Sequence, residues 1–364
     1  MVVMNGRPRA DLRVAGRMAA ARARGRPWIL SHLLTDRCNA VCRTCLWRRW
    51  PASDEADGAA FGVGRLSPSE LSTDEVSWLY RQAGALGVAQ LVVWGGEPLL
   101  RPDLPELLLA ARRAGLSAAV ITNGWLLPER WPALRGRVDT LIVSLDDIGS
   151  AHDRLRALPG LYRRIDAFVR TLRYDPLRPR LLVNTVLSRL NRGALRRVAP
   201  VAREWGAGLY FCPMETGEMT SAGLVESKAG LALPPDELRE AAGLALQLQG
   251  AGYPLLATKA YLRMLAEKPS LSDYRCRAPH ATLTVQAGGA IRDCLRRETP
   301  LDSLHRLRER GARLADVVAS PRYQAMLASA NRCTVCNNPD VLETTWAWQL
   351  RPFMLRRALR LARA

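Results

Sequence analysis

Short apolar runs alternate along the chain with longer stretches in which apolar positions recur every three or four residues, the two periods that distinguish strands from helices. The strand-like runs are Trp28–Leu34, Ala89–Trp94, Ala118–Thr122, Thr140–Leu145, Leu181–Leu187 and Gly208–Cys212. Asp103–Ala114, Gly160–Leu172 and Ala194–Trp205 carry the helical period between them. Ser72-Thr73-Asp74-Glu75 is a capping-box signature, and Val76, Leu79, Tyr80, Ala83 and Leu86 follow it at helical spacing. Residues 50–68 hold Pro51, Gly58, Gly62, Gly64 and Pro68, and so predict a loop. Strands that are each followed by a helix or a long crossover predict an α/β fold, a parallel sheet with helices on its outer face.

After Gly217 the pattern changes. Pro234–Gly250 and Thr258–Lys268 predict helices that close a barrel-like domain. Ala281–Val285 and Ala290–Asp293, joined across Gly288-Gly289, predict a hairpin. Trp346–Ala364 predicts a basic amphipathic helix interrupted by Pro352. The expected organisation is a basic arm over 1–27, a core over 28–217, a helical closure over 218–272, a cysteine-rich domain over 273–345 and a terminal helix over 346–364.

In a parallel sheet, chemistry sits at the carboxyl ends of the strands. The polar and glycine-rich punctuation falls at those ends. Cys38 follows the first strand, Gly95-Gly96-Glu97-Pro98 the second, and Thr122-Asn123-Gly124 the third. Ser144 and Asp146 close the fourth, Asn184 and Thr185 lie in the fifth, and Glu215 follows the sixth.

Charge changes the picture little. The net charge of +19 suggests nucleic acid, but lysine stands only at 228, 259 and 268, and arginine is spread along the whole chain without forming a phosphate-binding face. The arginines of 1–27 predict a solvated, partly helical or frayed arm. No uninterrupted apolar run is long enough to span a bilayer and the start lacks the apolar stretch of a signal peptide, so a cytoplasmic location is expected. In that compartment the eight cysteines are better read as ligands or reactive thiols than as disulfides. Seven fall into two groups, and Cys212 stands alone.

The first group is Cys38, Cys42 and Cys45. Three thiolates at this spacing can hold three irons of a cubane cluster and leave the fourth without a protein ligand, an open position where chemistry can occur. The competing reading is a structural zinc site, which needs a fourth ligand such as His32. Followed by Gly95-Gly96-Glu97-Pro98, Thr122-Asn123-Gly124 and Ser144-Leu145-Asp146, the motif resembles the radical S-adenosylmethionine (radical SAM) superfamily over about residues 30–340. The resemblance implies a partial (β/α)6 TIM-like barrel, a [4Fe–4S] cluster on the three cysteines, and SAM bound to the open iron. It implies an electron donor such as flavodoxin or ferredoxin. It also implies cofactor-binding roles for Gly95, Gly96 and Glu97 at the methionine amino group, for Ser144 and Asp146 at the ribose, and for Asn123, with Asn184 and Arg156 candidates for the SAM carboxylate. Two positions depart from the family pattern: Thr44 replaces an aromatic residue before the last cysteine, and Trp94 replaces a small hydroxyl residue before the glycines.

Cys276, Cys294, Cys333 and Cys336 form the second group. The pattern of cysteine, strand, glycine turn, strand and cysteine resembles the superfamily's twitch or SPASM-like domain, which implies an auxiliary [4Fe–4S] cluster. A four-cysteine zinc site is the alternative. The spacing resembles the aminocyclitol radical dehydrogenases, which implies radical oxidation of a small sugar-like or aminocyclitol-like substrate. Glu215, Glu218 and Asp147 are candidates near the mouth to supply the base or to bind hydroxyls and amines, and Cys212 is the candidate hydrogen donor if the reaction is instead an epimerisation. A ribosomal-peptide maturase is the second reading. The third is an enzyme brought to a membrane or lipid-linked substrate by Trp346, Trp348, Phe353, Met354 and Leu355 with the neighbouring arginines.

Overall fold

The computed structural model describes residues 8–45, 70–220, 223–226, 229–267, 274–296 and 299–354. The chain enters through α1 (Pro8–Ala23) and β1 (Ile29–Thr35). It continues through α2 (Thr73–Leu86), β2 (Gln90–Gly95), α3 (Leu104–Arg113), β3 (Ser117–Thr122), α4 (Leu127–Leu134) and β4 (Thr140–Ser144). Then come α5 (Gly149–Arg156), α6 (Leu161–Leu172), β5 (Arg180–Leu187), α7 (Ala194–Glu204) and β6 (Gly208–Pro213). Strands β1 to β6 pair in sequence order and all in parallel. They form the α/β partial barrel that the alternation predicts.

Period two along the strands sorts the residues by face. Val120, Leu141, Val143, Val183, Leu209 and Phe211 enter the large core beneath the helices. Ala119, Ile121, Ile142 and Leu182 make a small apolar cluster on the opposite, inner face. Two residues further along, the inner positions of β4, β5 and β6 are Ser144, Asn184 and Cys212. The barrel interior is therefore apolar at its base and polar toward the carboxyl ends. The helices follow from capping as well as period: Ser72 and Glu75 complete the capping box of α2, and Gly87 ends it at φ 98°.

Beyond β6 lie a hairpin of β7 (Gly217–Thr220) and β8 (Gly223–Glu226), then α8 (Pro235–Gly250) and α9 (Lys259–Glu267). The segment expected to be helical closure thus begins with a hairpin. It is followed by α10 (Ala278–Ala281), β9 (Thr282–Val285), β10 (Ala290–Arg292) and β11 (Asp302–Ser303). The expected hairpin of β9 and β10 forms, and β9 also pairs in parallel with β1 from Ile29–Thr282 to His32–Val285. Strands β9, β10 and β11 of the stretch set apart as a cysteine-rich domain thereby extend the barrel sheet. Helices α11 (Leu304–Glu309), α12 (Leu314–Ala319), α13 (Pro321–Ala330) and α14 (Pro339–Trp348) complete the described chain.

Two terminal expectations are corrected. Residues from Pro8 on are a docked helix rather than a solvated arm: Val14 and Ala21 are buried, and Arg17 Nη2 donates to the Val88 carbonyl at 2.7 Å. The helix carrying Trp346 and Trp348 starts at Pro339 and ends at Gln349, before a residue in the left-handed region, Leu350 at φ 55°. Trp348 stacks on Trp28 at 5.2 Å and 18°, and the Arg22 guanidinium lies over the Trp348 ring, 4.3 Å from its centroid. Met354 is buried, and residues 355–364 lie outside the described chain. Among the described residues no helix is long and apolar enough to cross a membrane.

Helix α14 also reaches the far edge of the barrel. Glu343 accepts from Tyr210 Oη of β6 at 2.7 Å and from the Thr258 amide at 2.6 Å. One helix thus ties the last barrel strand to the residues that lead into the first. Burial pushes the Glu343 carboxyl up to about 8. The folded protein then keeps a proton that the unfolded chain has lost above about pH 4–5. The contribution of Glu343 to stability therefore falls as pH rises from about 5 to 8, by up to about 1.4 kcal/mol per unit. Glu343→Gln mimics the protonated carboxyl, so its melting temperature at pH 8 should equal or exceed the wild-type value and fall less between pH 6 and 8. A variant that loses stability over that interval as steeply as wild type would contradict this account.

Candidate active site

The cysteine loop leaves β1 through Thr35-Asp36-Arg37, and the end of β2 grips that turn. The Gly96 amide donates to the Thr35 carbonyl at 2.7 Å and the Glu97 amide to the Arg37 carbonyl at 2.8 Å. The approach leaves no room for side chains. A Cβ on Gly95 would meet Thr35 O at 2.5 Å, and one on Gly96 would meet Arg37 O at 2.0 Å. Both glycines are required by the chain's own backbone, whatever ligand they also face.

Cys38, Cys42 and Cys45 form no disulfide, and Cys42 is buried. Burial, with Glu97 and Cys42 nearby, pushes Cys38 up to about 12. Burial also raises Cys42 to about 11, against the opposing charge of Arg156. Thiols crowded this way ionise readily only when a cation joins them. That donor chemistry suits iron, and Arg156 Nη1 already stands 3.9 Å from Cys42 Sγ. Among the described residues no three His, Cys, Asp or Glu side chains converge as a closed metal-binding group. The loop is a donor set on one segment without a caged site.

Around the loop, the polar residues at the strand ends are held mainly by one another. Glu97, expected to face an ammonium, accepts from Thr122 Oγ1 at 2.8 Å, the Asn123 amide at 2.8 Å and the Leu99 amide at 3.0 Å. Burial raises it to about 7 against these donors. It braces the end of β2 against the end of β3. Asn123 Nδ2 in turn donates to Asn39 Oδ1 at 2.7 Å, inside the cysteine loop. Asp146, expected at a ribose, has one oxygen on the Val186 amide at 2.9 Å and the other 2.7 Å from Arg156 Nε. Arg156 therefore bridges Asp146 and Cys42. Ser144 and Asn184 are register partners across β4 and β5, and Cys212 Sγ stands 3.9 Å from Asn184 Oδ1. Burial pushes the Cys212 thiol far up.

The two carboxylates offered near the mouth are not free bases. Glu215 is ion-paired with Arg296, and Asp147 makes a two-pronged pair with Arg197 at 2.7 Å and 2.7 Å. The side chain of Glu218 lies outside the described ones. The Glu215–Arg296 pair joins the end of β6 to the second cysteine group, because the Arg296 amide donates to Cys294 Sγ at 3.4 Å. In that group the Cys276 amide donates to the Cys333 carbonyl at 3.0 Å, and the Cys336 amide takes Tyr274 Oη as its acceptor at 3.1 Å. Cys276 and Cys336 are buried, and burial raises Cys336 to about 12.

Several residues at the site carry no readable sequence signal. His152 Nδ1 accepts from the Asp146 amide at 3.2 Å, and Asn191 Nδ2 donates to the Asp146 carbonyl at 2.7 Å and to the Val186 carbonyl at 2.8 Å. Both sit in short polar stretches where neither hydrophobic period operates.

The geometry defines a class: a partial parallel barrel with three thiols outside any disulfide and a shell of buried polar groups at its carboxyl mouth. Residues 33–187 match the family model of the Radical SAM superfamily. The chain is 32% identical over 187 residues to the AdoMet-dependent heme synthase of Methanosarcina barkeri, covering 50% of this chain and 49% of that one. It is 35% identical over 185 residues to the PqqA peptide cyclase of Gluconobacter oxydans, covering 50% and 48%. With the GTP 3′,8-cyclase of Stenotrophomonas maltophilia it shares 37% over 132 residues, 34% of this chain and 37% of the relative. The matches thus span about half or less of these relatives. Among solved structures, Streptococcus suis SuiB bound to S-adenosylmethionine superposes with a TM-score of 0.59 at 15% identity, covering 86% of this chain and 70% of that one. The structure of anSMEcpe with bound AdoMet gives 0.59 at 11% identity, covering 92% and 99%. These two likenesses are of fold.

The glycine clasp yields a testable outcome. Gly96→Ala forces backbone apart at the cysteine loop, at a cost of about 1–3 kcal/mol or more. Gly84→Ala meets a comparable clash, with Ala114 O at 2.4 Å, but in the packing of α2. After anaerobic reconstitution, Gly96→Ala should bind markedly less iron, whereas Gly84→Ala should lose thermal stability and keep its iron. Equal iron in both variants would show that the clasp does not shape the loop.

Proposed function

We propose that the chain is a radical SAM oxidoreductase that removes hydrogen from a small polar, sugar-like or aminocyclitol-like substrate held between two clusters. When bound, the cluster and SAM supply one-electron cleavage of a carbon–sulfur bond and a 5′-deoxyadenosyl radical that abstracts hydrogen. Cys38, Cys42 and Cys45 would hold that cluster, with the fourth position left to SAM. Arg156 supplies positive charge beside Cys42, and Asn184 and Ser144 offer neutral polar groups on the inner face.

The observation that carries the oxidative reading is the second cysteine set. Cys276 and Cys294 flank the β9–β10 hairpin of the barrel sheet, Cys333 and Cys336 lie between α13 and α14, and Arg296, whose amide donates to Cys294 Sγ, pairs with Glu215 at the end of β6. Removing hydrogen and then an electron from a carbon needs an acceptor near the substrate. Four thiols without an open position suit a fully ligated auxiliary cluster in that role. Cys212 lies close enough to Asn184 to face the same interior, and its buried thiol is the group that would return hydrogen if the outcome were epimerisation. A flavodoxin or ferredoxin is the expected electron donor. A peptide substrate is the second reading, favoured by the 35% identity to a PqqA peptide cyclase.

Iron counting after anaerobic reconstitution tests the two-cluster reading. Wild type should bind two cubane clusters per chain, and Cys276→Ala combined with Cys336→Ala should bind about half the iron. Unchanged iron would remove the auxiliary cluster. For the substrate class, 5′-deoxyadenosine formation should rise at least about tenfold with a mixture of aminocyclitols and amino sugars, one SAM being consumed per product; a tenfold change corresponds to about 1.4 kcal/mol in the barrier. A rise with peptides alone would overturn the proposed substrate class in favour of the peptide reading.

A further inference from the structure

A buried ionic network lies beneath the cysteine loop, on the face of β1 that carries Leu30, Leu34 and the buried His32, whose Nδ1 is 3.0 Å from Tyr80 Oη. Leu30 and Leu34 of that face belong to the main core, yet Glu70, Arg37 and Arg101 are buried beside them. Glu70 Oε1 accepts from Thr35 Oγ1 at 2.5 Å and from the Asp36 amide at 3.2 Å, and it stands 3.5 Å from Arg37 Nε. Thr35 Oγ1 accepts in turn from the Arg37 amide at 3.1 Å. Behind Glu70, Arg101 Nη1 lies 3.9 Å from Oε2 and donates to the Leu71 carbonyl at 2.9 Å. Arg101 also makes a two-pronged pair with Asp103 at 2.8 Å and 2.6 Å, and Thr73 Oγ1 donates to Asp103 at 2.7 Å.

Such a network is a poor source of stability, since apolar residues of the same volume would often serve as well. Its geometry gives it a different use. Among the described residues, the polar contacts of Glu70 Oε1 fall on Thr35, Asp36 and Arg37, the three residues that aim the chain at Cys38. The end of β2 holds the carbonyls of the same turn. We infer that Glu70, acting through Thr35, is a positioning residue that fixes the direction in which the cluster-binding loop leaves β1. The inference rests on the assignment of Cys38, Cys42 and Cys45 as cluster ligands.

The test is iron release to a ferrous chelator from anaerobically reconstituted full-length protein, scoring the kinetic phase that Cys42→Ala abolishes. Thr35→Val is nearly isosteric and removes both the donor to Glu70 and the acceptor for Arg37. It should speed that phase at least about tenfold, and Thr35→Ser should restore it to within about threefold of wild type. Glu70→Gln keeps an acceptor oxygen and should also stay within about threefold, whereas Glu70→Ala should match Thr35→Val. The two threonine variants decide the matter if Glu70→Ala does not fold. Release from Thr35→Val at the wild-type rate, or from Thr35→Ser as fast as from Thr35→Val, would overturn the inference. If Cys42→Ala abolishes no phase, the ligand assignment itself fails.

Discussion

The rest of the site depends on a close approach between two backbones. At the end of β1 the carbonyls of Thr35 and Arg37 accept from the amides of Gly96 and Glu97 across a gap that excludes even a methyl group. This contact fixes the cysteine loop over the barrel mouth before any ligand is considered. It also aims the Glu97 side chain sideways, into Thr122 and the Asn123 amide, so that the ends of β1, β2 and β3 become one rigid unit. Backbone hydrogen bonds in a water-poor setting are costly to leave unmade, and that cost makes the arrangement an all-or-none feature of the fold.

A second unit forms across β4 and β5. Asp146 receives the Val186 amide and the Arg156 guanidinium, while Asn191 and His152 hold its own peptide groups. The same Arg156 reaches Cys42, so the two units meet at the thiols. Groups expected from sequence to touch a cofactor directly are thus largely occupied in shaping the shell around it. The same holds at the mouth, where Glu215 is committed to Arg296 and Asp147 to Arg197.

Much of the barrel is legible in the sequence, because its strands are short apolar runs and its main helices have a strong 3.6-residue period. Helix α6, for example, buries Leu161, Ile165, Phe168, Val169 and Leu172 on one side. Helix α4 escapes that reading because Pro128 and Pro132 look like breakers, although Pro128 sits in the first turn where no amide partner is needed. Helix α5 escapes it because only His152 and Leu155 are buried along its eight residues. Pairing of β9 with β1 is invisible for a different reason. Strand order between segments some 250 residues apart is set by tertiary packing, and no local period encodes it. The site divides in the same way: cysteines and glycines at strand ends announce themselves by spacing, whereas Glu70, Arg101 and Arg296 are ordinary charges until the fold supplies their partners.

The central claim is that the loop of Cys38, Cys42 and Cys45 presents a cluster with one iron open to SAM. Electron paramagnetic resonance of the reduced, anaerobically reconstituted protein tests it most directly. Adding SAM should change the spectrum of part of the signal, and that SAM-sensitive part should vanish in Cys42→Ala while the remainder persists. A spectrum indifferent to SAM, or a SAM-sensitive signal that survives Cys42→Ala, would contradict the assignment.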